Sequence, residues 1–402
     1  MHMLFSALVI LMAGCTGDYA SPQDPAIDDR HDEQVIYSDI PIEFGCDPMV
    51  KVAMNELTDG MLFGIFPTLT QTNDLNVRPK LGIKDNMVLR YEEQNGFKFG
   101  YPSEDRIFFY PDSDVEYSFY AYYSYQNDSL IRAGMSTDHL YSTTRTRTYY
   151  HVRANGGTPR VIGTDGDVLW AKAKAYVPAF DKHVEGFNAD IVRYGGKPTF
   201  SFEHPMARLY FRATLAEEAK DYLASKNAMI KVQQLMLMNS ACEADLCLID
   251  LEGDETLNME GKFVNIQYSD QESKVPWLRA KDGRRSLECV MTPDSAGISQ
   301  TLGKGEMVIV PQKESLVCRV ILEYYNRNAD GTYKNSRDGY WKYDIVLDPD
   351  DFIDADDEQY GNGYQAGFNY RYNIVVGFKY MTDINDGKQK PMPYVQGQQV
   401  MK

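Results

Sequence analysis

Basic charge, histidine, cysteine and long apolar runs are all scarce in this chain. Of its 402 residues, 41 are Lys or Arg against 58 Asp or Glu, a net charge of −17. That balance argues against a nucleic-acid partner, because phosphate binding relies on basic patches that release counterions. It suits a surface that must stay soluble and not stick to itself or to an anionic envelope. There are six histidines. His2 and His31 lie in the leading segment, and His139, His151, His183 and His204 fall in no His-Glu-x-x-His or nucleophile-elbow pattern. His204 is the most suggestive as a base, but a satisfied, half-buried ring is the stronger reading. No glycine-rich phosphate loop and no C-x-x-C pair occurs. The acidic run Asp348, Asp350, Asp351, Asp354, Asp356, Asp357 and Glu358 fails the spacing of a calcium loop and reads as a solvated segment. No enzyme activity, cofactor or metal is expected.

The one apolar run that stands out is Met3–Ala13, broken by Ser6 and stopping at Met12-Ala13-Gly14-Cys15. A run of about ten residues is too short to span a bilayer. An apolar segment ending in small residues and a cysteine reads as a lipoprotein signal over residues 1–14, with Cys15 as the acylated first residue of the mature chain. Each buried methylene of such an anchor contributes roughly 0.8 kcal/mol. Only His2 precedes the run, and a signal with an incidental cysteine is the alternative. Residues 15–33 are polar, carry two prolines and form a tether with little to bury. Five other cysteines remain: Cys46, Cys242, Cys247, Cys289 and Cys318. Cys242 and Cys247 bracket Glu-Ala-Asp-Leu and could close a small loop; burial as free thiols is the other reading, and a chain of this size depends on neither.

Tyrosine is abundant at 29 and phenylalanine stands at 18, an enrichment that favours strands. Ile36, Ser38, Ile40, Ile42 and Phe44 share one face of an extended segment, with Pro41 on the other. Proline places such a strand at an edge. Val115, Tyr117, Phe119, Ala121, Tyr123 and Tyr125 alternate with a polar-aromatic face, and residues 168–177 read as a further strand. Tyr194-Gly195-Gly196-Lys197-Pro198 breaks the pattern and marks a domain boundary, giving domains over 34–195 and 196–380. Around Pro205 the apolar parity flips from Phe200 and Phe202 to Ala207, Leu209, Phe211 and Ala213, which predicts a β-bulge. Thr214-x-x-Glu217 predicts a capping box opening a short helix over 216–224. Strands follow at 230–238, 263–268, 286–291, 307–310, 316–324, 341–347 and 370–380. Many short strands and one helix predict an all-β sandwich architecture. Residues 381–402 form a tail that the core does not obviously need; 394–401 could be extended.

Three motifs, in order, carry a resemblance. Tyr120-Ala121-Tyr122-Tyr123-Ser124-Tyr125, Asp167-Val168-Leu169-Trp170-Ala171 and Phe202-Glu203-His204-Pro205-Met206-Ala207-Arg208-Leu209, together with the signal cysteine, resemble the pattern of Bacteroidetes fimbrillins. Pro205 departs from that pattern. Asp128-Ser129-Leu130 and Asp294-Ser295-Ala296 also match the short O-glycosylation pattern of those bacteria. The resemblance implies two transthyretin-like β-sandwich domains, with the short helix in the second. It further implies a type V pilus subunit, exported as a lipoprotein to the outer membrane and trimmed after a basic residue. Such subunits polymerise by strand exchange with other fimbrial subunits and can meet a host or bacterial surface receptor.

The residues themselves point the same way at one place. Removing an apolar edge strand of Ile36, Ile40, Ile42 and Phe44 would open a groove that another chain can fill by β-addition. Arg30 and Lys51 are the only Lys or Arg between the signal and Arg78. A cut after Arg30 removes only tether, whereas one after Lys51 removes the strand. The donor expected is the tail, through Tyr394, Val395 and Val400. The alternative function is a surface-tethered glycan-binding lipoprotein whose tyrosines stack on sugars.

Overall fold

Alternating aromatic and β-branched residues build strands because a pleated surface buries every second side chain, and strands dominate the described chain. In the computed structural model the described residues are 35–47, 57–77, 79–100, 106–123, 141–154, 161–164, 166–252, 258–349, 363–382 and 389–399. Residues 37–402 cluster as one unit and residues 1–36 as another. The first half holds β1 (Tyr37–Pro41), β2 (Gly45–Cys46), β3 (Leu62–Leu69), β4 (Met87–Glu92), β5 (Gly96–Phe99), β6 (Phe109–Pro111), β7 (Tyr117–Tyr123), β8 (Tyr141–Thr143), β9 (Arg147–Arg153), β10 (Leu169–Lys172), β11 (Ala175–Val177), β12 (Lys182–Val184) and helix α1 (Ala189–Arg193). There follow β13 (Thr199–Phe200), β14 (Ala207–Leu215), helix α2 (Ala219–Ser225), β15 (Ala228–Leu237), β16 (Ala241–Asp250), β17 (Phe263–Tyr268), β18 (Cys289–Met291), β19 (Ser299–Ile309), β20 (Leu316–Asn326), β21 (Gly339–Leu347), β22 (Asn369–Thr382) and β23 (Gln389–Gln399). The all-β class expected from the sequence is the one adopted.

Four sheets carry the architecture. The order β10-β7-β3-β4-β5 makes one, β17-β16-β9-β8 a second, and β19-β14-β22-β23 and β18-β15-β20-β21 the remaining two. The last two enclose a core that includes Leu209, Phe211, Ile230, Val320, Leu322, Ile374 and Val376. The five-stranded sheet is covered on both faces. Phe63, Ile65, Tyr117, Phe119, Ala121, Leu169 and Ala171 enter one core. Their neighbours in sequence, Phe66, Tyr120, Tyr122, Val168 and Trp170, enter another with Tyr150 and Val152 of β9 and Ala244, Leu246 and Leu248 of β16.

Several expectations are corrected here. The polar-aromatic face of β7 is buried: the tyrosines at 120 and 122 pack under the sheet that β9 and β16 build, with the Tyr122 and Tyr150 rings 4.8 Å apart. Val115 is exposed and precedes the strand. The segment read as one strand over 168–177 is divided between β10 and β11. The parity flip at Pro205 is a crossing between cores, since Phe200 and Phe202 belong to one and Ala207 onward to another. There is no capping box at Thr214, because that residue is still in β14 and its hydroxyl is spent on Asn373 at 3.0 Å. Helix α2 starts later, after Glu218, without a side-chain cap. A second short helix, α1, is capped by Asn188, whose side chain accepts from the Ile191 N–H. The tail is used by the core: β23 runs antiparallel to β22 from Thr382↔Gln389 to Tyr372↔Gln399, and Val395 packs on the sandwich core.

Cys242 and Cys247 are both free, as are Cys46, Cys289 and Cys318. Five residues along one strand hold their Cα atoms roughly 16 Å apart, and a disulfide needs about 4–7 Å. Burial pushes the thiols of Cys46 and Cys289 up to about 11 and that of Cys247 to about 12, with Asp47 and Asp250 adding to the first and last. Thiolate is the reactive form. Iodoacetamide at pH 8 should therefore label these three at least tenfold more slowly in the folded protein than in denaturant, and non-reducing electrophoresis should show no shift on reduction.

Candidate functional site

The segment 37–47 covers the five-stranded sheet's inner face, yet it is held by short, interrupted pairings. β1 meets β6 only at Tyr37↔Pro111 and Pro41↔Phe109, with an irregular register between. The Ile42 N–H donates to the Phe108 carbonyl at 2.7 Å, the Gly45 N–H to Pro198 at 2.8 Å, and the Asp47 N–H to Phe200 at 3.0 Å. β2 lies parallel to β13 over two residues. Phe44 forms a bridge to Phe97. Its carbonyl comes so near Gly96 that a Cβ there would lie 2.8 Å from it, and Gly96 also has φ +74°, so glycine is required.

The side chains are held more firmly than the backbone. Phe44 is 1% exposed. Its ring centroid lies 5.7 Å from Phe99, 5.0 Å from Phe119 and 5.1 Å from Phe200. Ile42 is buried beside it and Ile40 is half-buried. Ile36, expected on the same face, is 72% exposed, because it precedes the first pairing of β1. At the rim, Arg193 pairs with Asp39 at 3.1 Å and Lys197 with Glu43 at 3.2 Å, all four side chains substantially exposed. Such pairs contribute little. Arg30, Lys51 and Cys15 lie outside the described residues.

The tail residues sit elsewhere. Tyr394 donates its hydroxyl to Glu218, beside α2, and Tyr343 of β21 donates to the Pro393 carbonyl. The hydrogen bond from Tyr394 holds the Glu218 carboxyl below its usual range, and the same bond pushes the Tyr394 phenol up to about 12. Val400 lies outside the described residues. The two expected partners in exchange, strip and tail, are therefore not brought together within this chain; each completes a different sheet.

Two of the three motifs that carried the resemblance, those of Asp167 and of His204 and Arg208, meet in one buried ionic cluster, which sequence reasoning missed. The His204 Nδ1 lies 2.7 Å from the Asp167 Oδ2, and Arg208 reaches the same oxygen at 3.4 Å and Glu306 at 2.9 Å. His204 and Arg208 side chains are 1% and 2% exposed. Burial works against the Arg208 charge, but the Asp167 and Glu306 carboxylates outweigh it and raise its pKa. Next to the cluster, Trp170 exchanges backbone bonds with Glu203 and donates its indole N–H to Leu248 of β16 at 2.9 Å. Gly261 lies flat against that indole. His204 is thus fully buried, not half-buried, and sealed from any substrate it would have to reach as a base. The signal available in sequence was the pairing of Asp167 with the His-x-x-x-Arg spacing in the later motif.

The chain is similar in fold to solved fimbrial and adhesion proteins. One is a fimbrial protein from Bacteroides vulgatus ATCC 8482, with 12% identity and a TM-score of 0.46 over 89% of this chain and 99% of that one. A second, described as a candidate cell adhesion protein from Bacteroides ovatus ATCC 8483, has 14% identity and a TM-score of 0.40 over 89% and 97%. A third, similarly described, from Bacteroides uniformis ATCC 8492, has 13% identity and a TM-score of 0.39 over 89% and 96%. No family model matches the chain, and no curated protein matches it significantly. At these values likeness alone carries no functional argument.

Two stability measurements check the site. Phe44→Ala should cost about 3–5 kcal/mol in chemical denaturation, while Ile36→Ala should stay within about 0.5 kcal/mol of the parent. Arg208→Met, which takes the only guanidinium of the cluster away from the Asp167 and Glu306 carboxylates, should cost about 3–5 kcal/mol.

Proposed function

We propose that this chain is a structural subunit, stalk or tip, of a cell-surface fimbrium. It is exported as a lipoprotein through Cys15, held at the outer membrane and assembled by protease-triggered strand exchange in the service of adhesion. Residues 381–402 would serve as the donor segment. The observation that carries this reading is the mismatch within segment 37–47. Its side chains plug an aromatic core, and its backbone is held by pairings of a residue or two. Withdrawing it leaves Phe97, Phe99, Phe119 and Phe200 facing a vacancy lined by unpaired backbone groups, a template for β-addition. A head-to-tail contact of that kind propagates as a filament when its rotation does not close a ring.

Lys51 supports the same reading by its place, four residues beyond the last described residue of the strip. A glycan site built from the core-strand tyrosines is not favoured, since Tyr110, Tyr117, Tyr120, Tyr122, Tyr150, Tyr364, Tyr370 and Tyr372 are all buried.

The test is limited digestion of the full chain with a lysine-cleaving protease, followed by mass spectrometry of the new N-terminus and negative-stain microscopy. Filaments should accompany cleavage after Lys51, and Lys51→Gln should suppress both. Filaments from uncut chain, or a product cut after Lys51 that stays monomeric, would overturn the scheme. Removing residues 391–402 should abolish filaments from otherwise competent protein.

A further inference from the structure

Among the described residues, exposed aromatic rings gather on one hairpin and beside it. β11 and β12 carry Tyr176 and His183 at paired register positions, with ring centroids 5.2 Å apart. At the turn between them Phe180 meets Tyr194, which follows α1, edge to face at 5.0 Å and 61°. Tyr176 is 48% exposed, Phe180 48% and Tyr194 53%, and His183 is exposed as well. Leaving such rings in water costs hydrophobic free energy that a purely structural turn would recover by burying them. The hairpin is also rigidly built. Asp181 adopts a left-handed φ of 48°, its N–H closes the turn on the Pro178 carbonyl, and its carboxylate accepts from the Tyr176 hydroxyl at 2.6 Å.

We propose that this hairpin is a binding platform for neutral pyranose sugars. A pyranose presents an apolar C–H face and a rim of hydroxyls. Phe180 and Tyr194, inclined to each other at 61°, offer it a floor and a wall. Asp181 and Lys182, adjoining Phe180 in sequence, supply an acceptor and a donor for the hydroxyl rim. Size decides against a protein partner. Four rings about half exposed offer roughly 400 Å² in total, and a stable protein interface needs about 800 Å² on each side. The charged neighbours Asp181, Lys182 and Arg193 also interrupt the patch, unlike the apolar centre of a subunit contact. This assignment is independent of strand exchange, because the platform needs neither trimming nor polymer.

The experiment is saturation-transfer difference NMR on the full-length chain with lactose, maltotriose and mannotriose as separate probes, followed by titration of any probe that responds. At least one should show saturation transfer strongest at its ring C–H protons. The double variant Phe180→Ala/Tyr194→Ala should weaken that binding at least tenfold, and Tyr340→Ala, an exposed ring on β21, should leave it unchanged. The thermal midpoint of the double variant should match the parent, since both rings lie outside the core. Absence of transfer to all three sugars, or equal binding by the double variant, would overturn the proposal. A parent dimer that the double variant turns into a monomer would also overturn it, by assigning the rings to a protein contact.

Discussion

The constraint on which the rest depends is that the β10-β7-β3-β4-β5 sheet is apolar on both faces. Aromatic residues occupy successive positions along β7, so one set of rings always points each way. A sheet of this kind needs two covers. The first is a true sheet, β17-β16-β9-β8, joined to it by the Tyr122–Tyr150 contact and by the Trp170 indole on Leu248. The second is assembled from fragments: the strip 37–47, β13 and the residues around α1. Fragments cover a core as well as a sheet does in apolar area, but they bring few cooperative ladder bonds. That asymmetry is what the proposed exchange relies on: of the two covers, the inner one has fewer ladder bonds to lose.

Much of this was legible in the sequence because alternation reports burial directly. The strands at 263–268, 316–324, 341–347 and 370–380 were read from period two, and they appear as β17, β20, β21 and β22. What alternation cannot report is a strand buried on both faces. A tyrosine at 120 or 122 reads as amphipathic in sequence, and only the arrival of β9 and β16 from far along the chain decides that it is interior. The strand Ala241–Asp250 was lost for a related reason. Glu243 and Asp245 alternate with Cys242, Ala244 and Leu246, but the apolar run 246–249 that follows, buried on both faces, hides the period. Those carboxylates lie on the outer face of the sheet, where Asp245 is paired with His151 and Asn265. The parity flip near Pro205 was seen but given the local explanation of a bulge, when the cause was long-range: the chain passes from one core to another within five residues.

The ionic cluster explains why the flip occurs at that point. A chain that crosses between cores must place some backbone and side chains where neither core is wholly apolar. Asp167 arrives at the entrance of β10, His204 and Arg208 arrive on the crossing itself, and Glu306 closes the set from β19. Such a cluster is a poor source of net stability, since desolvation consumes most of its Coulombic gain. Its directional bonds do fix the crossing's register, because Arg208 can satisfy both carboxylates only if β14 and β10 keep their present spacing. The later two motifs resembling those of fimbrillins are therefore a description of this junction. They specify how one half of the fold hands the chain to the other, and they say nothing about what the surface binds.

The tail sets the energetic terms on which a strand could be exchanged. β23 is already paired to β22 along eleven registered positions, and it contributes Val395 to the sandwich core. Its prolines at 391 and 393 share one edge, which suits an outermost strand whose missing N–H groups need no partner. To serve a neighbour, this strand must give up that ladder. A neighbour's vacated strip offers fewer backbone partners but a far larger apolar seat, since it held Ile42 and Phe44 where the tail buries Pro393 and Val395. In the proposed scheme the exchange would be driven by the open aromatic core and opposed by the loss of β23 pairing. With the strip in place the opposing term would stand alone. Cutting away the strip would change the sign, which is why that scheme makes trimming the trigger.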